Sequence, residues 1–391
     1  MSISVTVFTP TYNRGYIIQN LYESLRSQTN KNFEWIVIDD GSADNTEMLF
    51  QKWLLEDNGF EIKYCKVENG GKHRAINKAV DMASAEAFFI VDSDDYLLDK
   101  AIDKVIDWFE TIRKNDSFAG ISGLRGKTEK YPIGGWGNFD SSYIDITNLE
   151  REKYGLLRDK AEVYKTSILK KYRFPEYDGE NFITEGVVWN AIARDGYKLR
   201  WYKEIIYICD YREDGLTKNG RAKWINNPAG TMAYINLSEQ LYGEEYAKKS
   251  KFRFYFVLRN RYEKKKVQEI MKIDSSLTEE LETKYMLFLK ELEEYFAAHN
   301  IKNVAVYGLG NVGSTFLEIA PKVHINVRYG IDQQKKDMNA LKVVYPQDEF
   351  EEVDAIVITL MNHNTEVEKK LKEKMGTVVY WRDISSEYWY V

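Results

Sequence analysis

The chain of 391 residues has little cysteine: Cys65 and Cys209 are the two present, which excludes a disulfide framework and fits a reducing compartment. It also lacks long apolar runs. No stretch approaches the roughly 18 residues of a membrane span, and the start MSISVTVFTP has neither the charged nor the long apolar region of a secretory signal. Nor is there a large excess of one charge. With 55 Lys plus Arg against 61 Asp plus Glu, the net charge of −6 argues against a general nucleic-acid binder. Together these absences predict a soluble cytoplasmic protein with no nucleic-acid partner.

Aromatic residues are plentiful, with 28 Tyr and 9 Trp. Such rings serve carbohydrate or interface surfaces, or fill a large aromatic core, and the core is the plainer reading. The length exceeds one ordinary core and predicts two or three domains.

The first 120 residues alternate strand and helix patterns. Strands are expected at 4–9, 34–39 (EWIVID), 61–67 (EIKYCKV) and 87–91, with helices near 16–28, 45–56 and 75–83. Asp44 followed by Glu47 predicts a capping box. Strands separated by helices imply a parallel sheet with right-handed crossovers. In such sheets ligands bind beyond the carboxyl ends of the strands. Each polar motif in this half falls at such an end: TPTYNR after the first strand, DDGSADN after the second, ENGGKHR after the third and DSDD after the fourth. Four loops are thus expected on one rim.

The fourth loop poses the sharpest question. An apolar run stops at Asp92, Ser93, Asp94 and Asp95, and carboxylates that close repel unless a cation or a set of donors neutralises them. A nucleotide sugar bound with a divalent cation would do so. Asp40 is then suited to accept from a base N–H, and Pro10 and Tyr12 to wall the base. Lys72 or Arg74 is suited to meet phosphate, and Asp92, Asp94 and Asp95 to share ribose and metal.

These four motifs, from Thr9 in TPTYNR and Asp40 in VIDDGSADNT through Asn69 in NGGKHRAIN to VDSDD, resemble those of the family 2 glycosyltransferases of the GT-A fold, over roughly residues 1–215. The resemblance implies an α/β fold, and Mn2+ or Mg2+ held against a donor diphosphate, with Asp94 the best metal ligand and Asp92 and Asp95 sharing the metal and ribose roles. It implies inverting transfer from a nucleotide-diphosphate sugar, expected to be a UDP-sugar, to a glycan or lipid-linked acceptor in surface polysaccharide synthesis. Inversion requires a general base. Family members carry an acidic pair at a helix start, about eleven residues before a closing Gly. Here Thr184 and Glu185 stand there ahead of Gly196, so Glu185 is the sole carboxylate and the expected base. Arg212, in YREDGLTKNG, is placed where a loop could steady the departing charge.

Beyond residue 220 the pattern changes. The domains expected are 1–220, a helical connection at 221–300, and a small Rossmann-like α/β domain at 301–391 opened by a strand and GLGNVG. Leu281, Tyr285, Phe288, Leu292 and Tyr295 form an apolar stripe that needs a partner surface, with Ser276 and Glu279 as its capping box. Asp332, following GLGNVG, stands where a ribose-binding acid would. Residues 248–266 hold nine basic residues against one acidic, among Phe and Tyr. They read either as a helix with a buried aromatic face or as a peripheral contact with the membrane inner leaflet. Two rival functions stay open: a non-catalytic nucleotide-sugar sensor and a nucleotidyltransferase.

Overall fold

The computed structural model describes residues 4–209, 220–334, 341–360 and 364–384. The chain forms two compact units, Met1–Leu241 and Tyr242–Val391.

The strands of the first unit are β1 (Val5–Thr11), β2 (Phe33–Asp39), β3 (Glu61–Lys66), β4 (Ala87–Ile90), β5 (Tyr96–Leu97), β6 (Phe118–Thr128), β7 (Tyr131–Pro132), β8 (Tyr143–Ile146), β9 (Lys160–Lys165) and β10 (Lys198–Ile208). They build one sheet in the order β3-β2-β1-β4-β9-β6-β10-β5, with β7 beside β6 and β8 beside β10. The helices are α1 (Gln19–Arg26), α2 (Thr46–Trp53), α3 (Lys72–Met82), α4 (Ala101–Glu110), α5 (Thr166–Lys171), α6 (Gly186–Arg194), α7 (Gly220–Asn226) and α8 (Pro228–Tyr242).

The α/β class is as expected, and its parallel half is the one the alternating pattern foretold: β1 pairs in parallel with β2 and β4, and β2 with β3. Every residue of β2 is buried because helices cover both of its faces. Phe33, Trp35 and Val37 join Leu21, Tyr22, Phe50 and Trp53 on one side, while Ile36 and Ile38 meet Ala75, Ile76 and Trp189 on the other. The ring centroids of Tyr22 and Trp53 lie 4.1 Å apart, so much of the aromatic content is core. The remaining half is mixed. β9 runs antiparallel to both β4 and β6, whereas β6 and β10 are parallel. This half coincides with the stretch where the sequence pattern loses regularity. Asp44 is no capping box: its carboxylate accepts from Thr46 N at 3.0 Å and from Gly15 N at 2.9 Å, joining two loops instead.

The second unit opens with three helices, α9 (Glu244–Arg259), α10 (Lys264–Met271) and α11 (Ser275–Ala298). A parallel sheet follows, of β11 (Asn303–Tyr307), β12 (Asn326–Ile331), β13 (Val343–Val344), β14 (Ala355–Ile358) and β15 (Val378–Tyr380), in the order β13-β12-β11-β14-β15. With it come α12 (Asn311–Ile319), α13 (Thr365–Met375) and α14 (Trp381–Ile384). The strand order is that of a doubly wound fold. The helical stretch 221–300 runs from the first unit into the second. The stripe on α11 buries Phe296 in place of Tyr295, and the helix is capped by Asp274, which accepts from Leu277 N at 2.8 Å, not by Ser276.

Two other expectations meet their geometry here. Asp332 accepts from Leu309 N at 2.7 Å and from Gln334 N at 2.9 Å, so the carboxylate that could read a ribose braces the glycine turn itself. In α9 the residues Phe252, Phe254, Tyr255 and Phe256 are buried. Around them Arg259 pairs with Glu282 at 2.9 Å and Arg261 with Glu318 at 2.7 Å, so the aromatic face of this basic segment is core. Among the described residues no helix is long and apolar enough to cross a membrane.

Candidate active site

The four loops meet at one edge because β1, β2, β3 and β4 are adjacent and parallel. The first two are sewn together: Asn13 N donates to Ser42 Oγ at 2.8 Å, and Ala43 N to Asn13 Oδ1 at 2.8 Å. The second holds the third through Asp40. Its carboxylate accepts from Gly70 N at 2.7 Å, Gly71 N at 2.9 Å and the Asn69 side chain at 3.2 Å. Burial pushes the Asp40 carboxyl up, against the pull of these two amides. Asp40 and Asn69 thus shape the third loop rather than presenting free groups.

The Asp-rich loop is neutralised from within the protein. Lys72 Nζ lies 2.6 Å from Asp92 Oδ1, and Arg125 Nη1 lies 3.2 Å from Asp92 Oδ2. Burial opposes the charge of Asp92, but Lys72 and then Arg125 outweigh it and hold the carboxyl well below the usual range. Asp95 accepts from the Tyr207 hydroxyl at 2.7 Å, yet burial and the Asp92 charge push it up to about 6. Asp94 stands apart, 3.8 Å from Arg14 and raised by burial and then by Asp92.

Among the described residues no three His, Cys, Asp or Glu side chains are grouped to hold a metal ion. Asp92 faces Lys72 and Arg125, and Asp95 faces Tyr207. Asp94, which has Arg14 3.8 Å away, would suit a hard cation as an oxygen donor.

Glu185 sits at the start of α6. Its Oε1 lies 2.7 Å from Lys72 Nζ, and its Oε2 lies 3.4 Å from Trp189 Nε1. Lys72 therefore spans the expected base and the Asp-rich loop. Burial opposes its charge, but Asp92 and then Glu185 raise it well above its ordinary value. Gly71 makes this approach feasible: at φ +92° its backbone passes so near Asn181 that an added Cβ would lie 1.8 Å from the Asn181 carbonyl oxygen. The segment ahead of Glu185 is pinned from α8. Glu180 accepts from Ala229 N at 2.7 Å and Gly230 N at 2.9 Å, the carboxylate meeting the positive end of that helix. Asn227 accepts from Asn181 N at 2.8 Å.

Other expected residues divide. Tyr12 is half exposed and Pro10 partly so. Thr9 points inward, its hydroxyl accepting from Trp35 Nε1 at 2.9 Å, because alternation along β1 turns it into the core. Arg74 is spent on the chain near α6, donating to the Tyr177 carbonyl at 2.6 Å and pairing with Glu176 at 3.3 Å. Arg212 lies outside the described residues. Sequence reasoning missed Arg125 and Tyr207, whose guanidinium and ring lie 4.2 Å apart. A lone Arg within the apolar run of β6 was the available signal.

Residues 6–173 match the model of the family described as Glycosyl transferase family 2. The chain is 30% identical over 117 residues to Glycosyltransferase GlyG of Streptococcus pneumoniae, covering 30% of this chain and 38% of that protein. It is 27% identical over 221 residues to the GalNAc(5)-diNAcBac-PP-undecaprenol beta-1,3-glucosyltransferase of Campylobacter jejuni, covering 54% of this chain and 67% of that protein. To the poly(ribitol-phosphate) beta-N-acetylglucosaminyltransferase TarP of Staphylococcus aureus it is 28% identical over 172 residues, covering 43% of this chain and 48% of that protein. The matched stretches thus span well under half of GlyG and about half of TarP. Four motifs seated on one rim and this match across them make residues 6–173 similar to glycosyl transferase family 2.

Proposed function

We propose that the first unit transfers a sugar from a nucleoside-diphosphate sugar, a UDP-sugar by preference, to a hydroxyl of a glycan or lipid-linked acceptor, with inversion at the anomeric carbon. The observation that carries this reading is the Lys72 bridge, which sets Glu185 against the Asp-rich loop. A base within reach of the donor loops is what such transfer requires. The acceptor O–C1 bond forms as the C1–O bond to the diphosphate breaks. The acceptor proton passes to a Glu185 carboxylate oxygen, and the leaving diphosphate keeps the electron pair. Lys72 is placed to steady that charge. Asp94 would hold Mn2+ or Mg2+, which when bound supplies positive charge to the diphosphate. The names of the Campylobacter and Staphylococcus relatives specify a lipid-linked glycan and a polyol-phosphate polymer, which supports a role in surface polysaccharide synthesis.

The test is UDP release by the purified full chain from UDP-glucose and UDP-N-acetylglucosamine with Mn2+, repeated with the cation chelated. Slow hydrolysis that rises with acceptor and stops on chelation is expected. Saturable UDP-sugar binding without release from either donor would instead favour a sensor.

A further inference from the structure

Beyond Trp189, the other contact of Glu185, lies a polar group that the transfer reaction has not yet used. Trp189, which touches Glu185, stacks on Tyr164 with ring centroids 4.3 Å apart. Tyr164 and Glu162 are two apart on β9 and so share one face of the sheet. Among the described residues the buried Tyr164 hydroxyl has no hydrogen-bond partner. Among the described residues Glu162 pairs with Arg151 Nη1 at 3.5 Å and accepts no side-chain hydrogen bond. Both members of that pair keep an exposed edge, with side chains 22% and 16% accessible. A carboxylate so placed is costly to leave unbonded. Burial pushes Glu162 up to about 7, with Arg151 and then Arg125 pulling the other way.

The surroundings are built, not incidental. Lys160, buried on the same strand face, donates to the Ile133 carbonyl at 2.8 Å and so fastens the glycine-rich loop 133–137 beside this group. The Asn148 side chain donates to Asn190 Oδ1 at 2.9 Å, tying the turn that carries Arg151 to α6.

Glu185 thus stands between two polar groups: the donor loops reach it through Lys72, and Glu162 and Tyr164 reach it through Trp189. We infer that Glu162, Arg151 and Tyr164 form an acceptor subsite that grips a second hydroxyl of a sugar or polyol whose neighbouring hydroxyl reaches Glu185. The inference rests on the transfer function proposed above. Carboxylate and guanidinium together both accept from and donate to a hydroxyl, which a lipid tail would not exploit.

The test uses the full chain loaded with UDP and Mn2+, titrated with octyl β-glucoside, octyl N-acetyl-β-glucosaminide and ribitol 5-phosphate, with tryptophan fluorescence as the readout. At least one probe is expected to shift the emission saturably. Glu162→Gln should weaken that probe about tenfold or more, the loss of a charge-assisted hydrogen bond, and should keep its affinity for UDP. Tyr164→Phe, which preserves the stacking on Trp189, should weaken the same probe less and in the same direction, and serves where Glu162→Gln fails to fold. No saturable shift with any probe, unchanged probe affinity in the folded variants, or an equal loss of UDP affinity would overturn the subsite. A wild-type protein that releases UDP from UDP-sugars yet shows no probe binding sinks the subsite alone; one that releases none sinks the transfer reading beneath it.

Discussion

Lys72 Nζ lies 2.7 Å from Glu185 Oε1 and at the same time 2.6 Å from Asp92 Oδ1, so one half-buried ammonium holds the proposed base and the first carboxylate of the Asp-rich loop. Lys72→Met leaves Glu185 without its cation, while Asp92 keeps Arg125. Removing one partner of a largely buried pair costs about 3–5 kcal/mol. Partial exposure and the surviving arginine reduce this to roughly 1–3 kcal/mol. A thermal melt should fall accordingly and UDP affinity should drop; both unchanged would show that the bridge carries neither stability nor donor contact.

The role of Glu185 separates from its charge. Glu185→Gln keeps the shape of the side chain and one oxygen for Lys72, giving up only the longer 3.4 Å acceptor contact to Trp189 Nε1, so fold and UDP affinity should persist. A positioned base contributes a factor of about 10² to 10⁴, and turnover should fall within that range. A rate within about threefold of wild type would exclude Glu185 as the base.

Asp92 and Asp94 should respond in opposite ways, although they are two residues apart. Asp94→Ala removes a carboxylate that burial and Asp92 already disfavour, so the fold should hold or gain slightly while cation-dependent UDP binding is lost. Asp92→Ala strands Lys72 and Arg125 beside each other with less counter-charge, and should lower stability by about 1–3 kcal/mol whether or not cation is present. Calorimetry with and without Mn2+, paired with melts of both variants, checks this; equal behaviour of the two would contradict the division of labour.

The parallel half of the sheet and the rim of four loops were legible because period-two strands, helical segments and turn residues are local signals. The loop contents read less well. Three aspartates in four residues suggested a shared metal; Lys72 and Arg125 come from a helix and a strand remote in sequence, and only folding shows that both sit against Asp92. Thr9 lies within a motif but faces Trp35, since a motif in one dimension does not say which face of a strand each residue takes. Asp332 shows the same limit: its spacing fits a ribose acid, and in the fold its oxygens serve two backbone amides.

We propose that the independently folding second unit begins ahead of α9, not at residue 300. Phe288 and Trp381 rings lie 5.9 Å apart, Phe296 and Phe316 rings 6.3 Å apart, so α11 supplies one wall of the core that α12 and α14 need. A fragment of residues 300–391 would expose Phe316 and Trp381, both within 2% of fully buried in the whole chain. Burying a large apolar side chain is worth about 1.5–3 kcal/mol, and losing two such contacts is comparable to much of a small domain's stability. The fragment 242–391 should therefore melt cooperatively, while 300–391 should melt broadly or not at all and bind a hydrophobic dye. A sharp transition in the shorter fragment, at the temperature of the longer one, would return the boundary to residue 300 and make α9, α10 and α11 a connection after all.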